Sequence, residues 1–166
     1  MGAGKTAIGR ELARELGLDF IDVDQELERR TGVDIPLIFE KEGEAGFRRR
    51  EHELIEELTL CEGLVLATGG GAVLDPANRE CLKQRGFVIY LEASIAAQTS
   101  RTGHNRNRPM LDASPDRAAR LTELFSQREP LYQGLARLTV NTDSGHVRQI
   151  TRLILKALEQ QRTTPG

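Results

Sequence analysis

Short apolar runs alternate with segments of helical periodicity along the whole chain, and this alternation constrains the fold more than any other feature. Apolar residues recur at four-residue steps over 5–16, and a short strand is predicted directly after, over 18–22. Further apolar runs predict strands at 64–68, 87–91 and 138–141; the run at 87–91 is apolar throughout, as in a strand buried on both faces. Because strands that alternate with helices form a parallel sheet covered on both faces, we expect an α/β fold, a three-layer α/β/α sandwich.

Capping residues mark the ends of the predicted helices. Asp34 is placed to cap a helix that carries Pro36 in its first turn, and a longer helix is predicted over about 45–61. Asp75 opens another helix and Gly86 closes it. The remaining helices are predicted over 94–101, after Ser114-Pro115, and around 150–158.

Size, charge and cysteine content exclude several classes of protein. A chain of 166 residues is the size of one domain, so we treat 1–166 as a single unit. With 23 Lys and Arg against 25 Asp and Glu, the net charge is -2, which predicts no nucleic-acid partner. The longest uncharged stretch, 63–74, is far shorter than the ~20 apolar residues of a membrane span. No secretory signal and only two cysteines, Cys61 and Cys81, predict the cytoplasm, with both thiols acting as small apolar side chains rather than nucleophiles.

The most specific motif lies at the start of the chain, where Gly2-Ala3-Gly4-Lys5-Thr6 leads into a helix. It matches the second half of a phosphate-binding loop, in which glycines turn backbone N–H groups around a phosphate. Lys5 would reach the β- and γ-phosphates, and the Thr6 hydroxyl would bind Mg²⁺. The alternative is an incidental glycine-rich segment. The first glycine of the motif, and the strand that delivers such a loop, would lie upstream of Met1, and we expect the natural protein to start there.

Two carboxylates, Asp22 and Asp24, follow the first predicted strand. On an extended segment, residues two apart point the same way, so both could face the γ-phosphate. One would support Mg²⁺ directly or through water, and the other would accept a hydroxyl proton. A turn followed by a helix cap is the alternative.

Arginines and glycines supply the other candidate groups. Arg48, Arg49 and Arg50 fan out around a helix, so at most two can face one pocket. Arg101, Arg106 and Arg108 flank an aperiodic segment, 102–114, that could close over phosphates as a lid. Gly69, Gly70 and Gly71 follow a predicted strand and would offer bare backbone to a substrate, or form only a tight turn. Three histidines lack metal-ligand spacing and are read as surface or structural residues: His52, His104 and His146.

These motifs, in this order, resemble the shikimate kinases, small P-loop kinases of aromatic amino-acid biosynthesis. The likeness covers nearly the whole chain and implies a nucleoside-monophosphate-kinase-like fold with a lid over 102–114. The matching segments are Gly2 to Thr6, Phe20 to Asp24, Phe47 to Arg49, Gly69 to Val73, Arg101 with Arg108-Pro109, and Arg128 to Tyr132.

The resemblance also implies a role for individual residues. Asp24 is similar to the aspartate that contacts the reacting hydroxyl and takes its proton, and Asp22 to the one that supports Mg²⁺ through water. Arg48 and Arg128 resemble the pair that binds the shikimate carboxylate, where an arginine can form a bidentate contact. Backbone contacts would come from Gly70 and Gly71. ATP would be held by Gly2, Ala3, Gly4, Lys5 and Thr6, with Arg101 stacked on adenine and Arg108 on the phosphates.

The leading interpretation is therefore a monomeric, cytoplasmic enzyme that uses ATP and Mg²⁺ to phosphorylate the 3-hydroxyl of shikimate. Lys5, Arg108 and Asp24 would carry the catalysis. Two alternatives stay open at this point: a related small-molecule kinase such as a gluconate kinase, and a non-catalytic binding domain derived from a P-loop fold.

Overall fold

The computed structural model describes residues 2–102 and 117–163. Strands and helices alternate as the sequence predicts, except that the helix at Val23–Thr31 was not predicted. The helices are α1 (Lys5–Leu16), α2 (Val23–Thr31), α3 (Ile35–Leu58), α4 (Pro76–Arg85), α5 (Ile95–Thr102), α6 (Arg117–Leu135) and α7 (Val147–Thr163), with a short 3₁₀ helix at Ala72–Leu74. The strands are β1 (Asp19–Asp22), β2 (Leu64–Ala67), β3 (Ile89–Glu92) and β4 (Leu138–Asn141).

All four described strands pair in parallel, in two pairs. Strand β1 pairs with β2 and places Asp22 beside Ala67, while β3 pairs with β4 and places Glu92 beside Asn141. The four described strands form two two-stranded sheets in place of the single sheet that we expected. Polar residues that follow the strands therefore collect at one edge, where ligands bind in folds of this kind.

A cavity of about 400 Å³ lies between the two sheets. Consecutive residues of both inner strands line it, Leu64–Ala67 of β2 and Ile89, Tyr90 and Leu91 of β3, so it runs along the strand edges rather than under one face. Apolar side chains of α1, α6 and α7 close it from the two sides. The prediction that β3 is buried on both faces is wrong, since its residues are only half-buried.

Two apolar clusters hold the helices against the strands. Val23, Leu27, Leu54 and Ile55 belong to the cluster formed by α2 and α3, which also contacts Ile21 of β1. A second cluster joins α1 and α7 to β4 and to the cavity-facing sides of β2 and β3. Its buried members are Ile8, Leu12, Val140, Ile150 and Ile154. Each cluster contains side chains at three- and four-residue spacing, which explains the helical periodicity of the sequence.

The predicted capping residues occupy helix ends. Asp34 accepts a hydrogen bond from the Leu37 amide at 3.0 Å, and Asp75 accepts one from the Ala77 amide at 2.8 Å. Gly86 ends α4 with an amide bond to the Leu82 carbonyl at 3.0 Å. These ends were predictable because a cap is a local interaction between residues two to four apart.

Several predicted features differ or fall elsewhere. The helix expected over 45–61 ends at Leu58 and continues backward through a kink to the helix capped by Asp34. Cys81 is buried as predicted, but Cys61 is exposed. The Ser114-Pro115 cap and the segment 103–116 lie outside the described residues. Within the described ranges, none of the helices has both the length and the apolar character needed to cross a membrane.

Gly43 makes the kink in α3 possible. Its φ of 70° and ψ of -179° interrupt the helix, and this combination is essentially restricted to glycine. The kink allows the C-terminal part of α3, which carries Arg48, to run at its own angle, and the Glu42 carboxylate binds Arg50 across it at 2.7 Å.

We predict that Gly43→Ala lowers the free energy of unfolding by about 1–3 kcal/mol, because alanine must adopt a strained backbone conformation there. A β-carbon at Gly43 would contact nothing within 4 Å, so the loss would come from the backbone alone. Gly134→Ala is the matched control: Gly134 lies in α6 with equally open space and no positive φ. The control should be neutral or slightly stabilising. Urea unfolding measures both, and equal effects of the two substitutions would contradict the assignment.

Candidate functional site

The loop Gly2-Ala3-Gly4 lies at the N-terminus of α1, as the motif predicts. Gly2 and Gly4 have φ values of 70° and 81°, a region that favours glycine. Gly4 is the N-cap of α1 and, as a glycine, has no side chain with which to cap this end of the helix. The first amides of α1 and the positive end of its dipole are therefore available to an anion.

Thr6 and Asp22 connect this loop to the end of β1. The Thr6 hydroxyl donates to Oδ2 of Asp22 at 2.7 Å, and the other carboxylate oxygen of Asp22 accepts the amide N–H of Asp24 at 3.1 Å. Asp22 is thus also the N-cap of α2. The hydroxyl and carboxylate oxygens that the motif predicts near Mg²⁺ lie in direct contact.

Asp22 and Asp24 lie together, but the prediction that both point the same way from an extended segment is wrong. Only Asp22 belongs to the strand, and Asp24 lies in the first turn of α2. The two carboxylates therefore do not point the same way along an extended segment. Asp24 reaches the site because the helix begins there, and the cap that we weighed as an alternative is present at Asp22.

The Asp24 carboxylate lies against the glycine turn that follows β2, defined here as residues 69–72. Its Oδ1 would be 3.3 Å from a β-carbon added at Gly69. Burial is the largest cause of a raised pKa at Asp24; the Asp22 carboxylate raises this pKa further, and Lys5 and Arg48 oppose the rise. Asp24 is therefore within electrostatic reach of both the phosphate loop and Arg48.

Glu51 is a site residue that the sequence reasoning missed. It is fully buried on α3, and its Oε2 binds Nη1 of Arg48 at 2.6 Å. Its Oε1 has no hydrogen-bond partner among the described residues and would lie 2.9 Å from a β-carbon at Gly69. Burial raises the pKa of Glu51, and Arg48 is the main opposing influence. The available signal was an acidic residue on the apolar face of a helix, in register with Phe47, Leu54 and Leu58.

Arg48 lies directly over the glycine turn. A β-carbon at Gly71 would be only 2.3 Å from Nη2 of Arg48, so a larger residue would displace the guanidinium. The φ of Gly71 is -93°, so glycine is required here by close approach and not by an unusual backbone angle. Arg49 and Arg50 instead contact Glu42, away from the turn, so one of the three adjacent arginines faces the site.

Arg128 and Tyr132 bring α6 to the other end of the turn. Arg128 is 4% exposed. The Tyr132 hydroxyl donates to the Gly70 carbonyl, and the Tyr132 ring stacks on Tyr90 with centroids 4.9 Å apart. Burial raises the pKa of Tyr132, and Arg128 lowers it. Because Arg128 also lowers the pKa of Glu51, its charge lies near both groups. Tyr132, which the sequence predicted only as the end of the matching segment Arg128 to Tyr132, thus contacts the glycine turn directly.

Arg101 connects the phosphate loop to the segment after β4. Its guanidinium donates to the carbonyls of Gly2 at 3.2 Å and Thr142 at 2.7 Å. Its predicted stacking on adenine remains a prediction. Arg106, Arg108 and His104 lie outside the described residues.

The other histidines agree with a structural interpretation. His52 binds Asn78, and the His146 carbonyl accepts the amides of Gln149 and Ile150 at the start of α7. Among the described residues, no group of three or more His, Cys, Asp or Glu side chains converges, so neither His52 nor His146 belongs to such a cluster.

The raised carboxyl pKa values give a testable pH dependence. The folded chain holds the protons of Asp24 and Glu51 more tightly than the unfolded chain does. The stability that these protons contribute is fully present below the ordinary pKa values of 3.8 and 4.5 and is lost as the pH rises through the raised pKa values.

Glu51→Gln should therefore flatten the decline in unfolding free energy with rising pH. Urea unfolding from about pH 4 to about pH 8 measures this, with Glu56→Gln, an exposed position on α3, as control. An unchanged slope in Glu51→Gln would contradict the burial argument.

Comparisons with known proteins agree with this arrangement. The family model described as shikimate kinase matches residues 1–159. A shikimate kinase of Halorhodospira halophila is 53% identical over 161 residues, which is 97% of this chain and 90% of that protein. A solved structure described as shikimate kinase from Acinetobacter baumannii in complex with shikimate has a TM-score of 0.96 and 47% identity, over 99% of this chain and 91% of that one. The crystal structure of shikimate kinase from Aquifex aeolicus has a TM-score of 0.84 and 32% identity, over 98% and 94% of the two chains.

The structural matches confirm the predicted α/β P-loop kinase fold. The family model matches 159 residues, and the identity to a relative is high across nearly the whole chain, so the sequence supports the same family as the fold. The chain belongs to the shikimate kinase family, whose members are ATP-dependent kinases.

Proposed function

We propose that this chain transfers the γ-phosphoryl group of ATP to the 3-hydroxyl of shikimate, giving shikimate 3-phosphate and ADP, as a cytoplasmic monomer. The observation that carries the proposal is the position of Asp24. Its carboxylate lies against the glycine turn, and both Lys5 and Arg48 lower its pKa, so both charges lie within electrostatic reach. A phosphate-binding group and a carboxylate-binding group thus both act on a candidate base. A relative that is 47% identical is described as binding shikimate.

On the acceptor side, Arg48 and Arg128 bind the shikimate carboxylate. Both guanidinium groups lie near Glu51, which holds Arg48 in place through the contact of 2.6 Å. A planar guanidinium can form two parallel bonds to a carboxylate, which orients a rigid ring as well as attracting it. Gly70 and Gly71 add backbone contacts, and the absence of side chains there lets the ring approach closely.

Asp24 accepts the proton of the reacting hydroxyl. A general base works best when its pKa lies near the working pH, and burial moves the pKa of Asp24 upward, in that direction. Phosphoryl transfer needs little covalent chemistry from the protein, so positioning the hydroxyl in line with the γ-phosphate is the main task.

On the donor side, the amides of the loop 2–4 and the side chains of Lys5 and Thr6 bind the phosphates of ATP. Arg101 contacts the adenine, and Arg108 neutralises charge on the transferred group. The residues present fit a Mg²⁺ ion, since a hydroxyl and a carboxylate meet at 2.7 Å between Thr6 and Asp22 beside this loop. Oxygen ligands of this kind suit the ion, with Asp22 acting through water. When bound, Mg²⁺ supplies charge neutralisation at the phosphates.

We also propose that the described residues form one P-loop kinase domain and that an extended apolar segment leading into Gly2 fills the cavity between β2 and β3. The cavity follows the edges of β2 and β3, each of which belongs to a parallel pair, and has helices on both sides. A strand placed there in parallel would satisfy backbone groups of both inner edges. It would also fix the start of the phosphate loop, because its carboxyl end would meet Gly2.

The test of function is ADP release with Mg²⁺ and ATP, with and without shikimate. Three forms are compared: the chain itself, the chain extended upstream by about ten residues with an apolar strand, and a control extended equally with glycine and serine. We expect shikimate-dependent turnover, highest in the form with the apolar extension. Equal activity of both extended forms would contradict the strand proposal alone. No turnover in any form would contradict the kinase proposal.

Asp24→Asn should lower kcat by about 10²–10⁴, since it removes the proton acceptor while nearly preserving shape. The affinity for ATP, measured by direct titration, should change less than about twofold, because Asp24 contacts the acceptor side. A parallel loss of turnover and ATP affinity would instead assign Asp24 a structural role.

Arg128→Lys should raise the KM for shikimate by at least about tenfold, because a lysine keeps the charge but cannot form the bidentate contact. The KM for ATP should stay within about twofold of its original value. Arg137→Lys, a substitution elsewhere on the chain, serves as control and should change neither constant. A larger change in the KM for ATP than in the KM for shikimate would place Arg128 on the donor side of the site instead of the acceptor side.

A further inference from the structure

We propose that Asn78, held by His52, is a positioning residue for the glycine turn and thereby controls the binding of shikimate; the inference rests on the function proposed above. Asn78 lies on α4 and is fully buried. Its Nδ2 donates to the Ala72 carbonyl at 3.0 Å, and its Oδ1 lies 2.8 Å from Nδ1 of His52 on α3. Two helices are thus joined to the turn through one amide.

The directions of these two bonds are fixed by chemistry. A carbonyl can only accept, so the amide nitrogen of Asn78 must face Ala72 and its oxygen must face the His52 ring. Nδ1 of His52 therefore carries a hydrogen and donates it. Both the neutral and the charged ring can do so, which keeps the contact intact whichever form the ring takes.

The turn depends on side chains because it has little regular structure of its own. Four carbonyls of residues 69–72 accept hydrogen bonds, two of them from backbone amides: Ala72 donates to Gly69 at 3.2 Å and Leu74 to Gly71 at 3.0 Å. The other two bonds come from side chains, Tyr132 at Gly70 and Asn78 at Ala72. Removing either side chain would leave one end of the turn without its lateral contact.

Burying an amide costs desolvation free energy, and packing alone does not explain why position 78 carries one. The other buried residue of α4 is Cys81, which packs as a small apolar side chain. An apolar residue at position 78 would avoid the desolvation of an amide, whereas Asn78 uses both its oxygen and its nitrogen in hydrogen bonds to defined partners. These partners belong to the turn and to α3, the helix that carries Arg48 and Glu51.

A shift of the turn would reach the acceptor side of the site and leave the donor side in place. Gly71 is in close contact with the Arg48 guanidinium, and Gly69 with the carboxylates of Glu51 and Asp24. The phosphate loop instead belongs to α1, which packs on α7 and the strands. Loss of the Asn78 contacts should therefore weaken shikimate binding selectively.

The test compares steady-state kinetics of four variants in whichever form of the chain turns over shikimate. Asn78→Leu has nearly the same shape and loses both bonds. His52→Leu removes the donor, and His52→Asn places an amide N–H close to the position of Nδ1. Glu80→Gln, on the exposed face of α4, is the matched control.

We expect Asn78→Leu to raise the KM for shikimate about tenfold and His52→Leu about threefold, as loss of a buried hydrogen bond predicts. His52→Asn and Glu80→Gln should stay within about twofold, and the KM for ATP should stay within about twofold in all four. Unchanged shikimate constants in folded Asn78→Leu and His52→Leu would overturn the proposal, as would equal changes for both substrates. If Asn78→Leu does not fold, the two His52 variants provide the test. A higher KM for shikimate in His52→Leu than in His52→Asn would support the proposal, and equal values would overturn it.

Amide hydrogen exchange provides a readout that does not depend on the proposed function. The amides of Ala72 and Leu74 should exchange faster in Asn78→Leu than in the unsubstituted chain, while the amide of Ile154 in α7 should not change. Unchanged exchange at the turn would overturn the positioning role even if the enzyme is active. Absence of shikimate-dependent turnover in every unsubstituted form, extended or not, would instead overturn the proposed function.

Discussion

Close packing of charged side chains on bare backbone is the constraint on which the candidate site depends. Arg48 approaches Gly71 so closely that a β-carbon would meet its guanidinium, and Glu51 and Asp24 approach Gly69 in the same way. Three charged groups from two helices can therefore lie on one turn. Because three of the four residues of the turn are glycines, its position depends on neighbours, and α6 and α4 supply the contacts at Gly70 and Ala72.

The same packing places two carboxylates where burial disfavours their charged forms. The pKa values of Asp24 and Glu51 are both raised, with burial as the main cause, and nearby cations oppose the rise. Such an arrangement costs stability as the pH rises through the raised values. A site that must accept a proton near neutral pH requires a base of this kind, so the loss of stability and the proposed catalysis have one physical origin.

Parallel strands explain why distant sequence motifs meet. The loop before α1, the Asp22 end of β1 and the turn after β2 all lie at the carboxyl edge of the strands. Arg128 joins them from α6, more than fifty residues further along the chain. The cavity between β2 and β3 lies behind this edge and separates the two strand pairs.

The sequence by itself determined the four strands, the helices other than α2, the caps at Asp34, Asp75 and Gly86, and most site residues, because periodicity, capping and motif spacing are local properties. Thr6, Asp22, Asp24 and Arg48 are all visible in it. Only the tertiary structure decided that the described strands form two pairs and that β3 is half-buried, since pairing joins residues far apart in the chain. It alone assigned roles to Glu51, Asn78 and Tyr132. Their hydrogen-bond partners lie on other elements or, for Glu51, one helical turn away within a buried face, and burial is a property of the packed molecule.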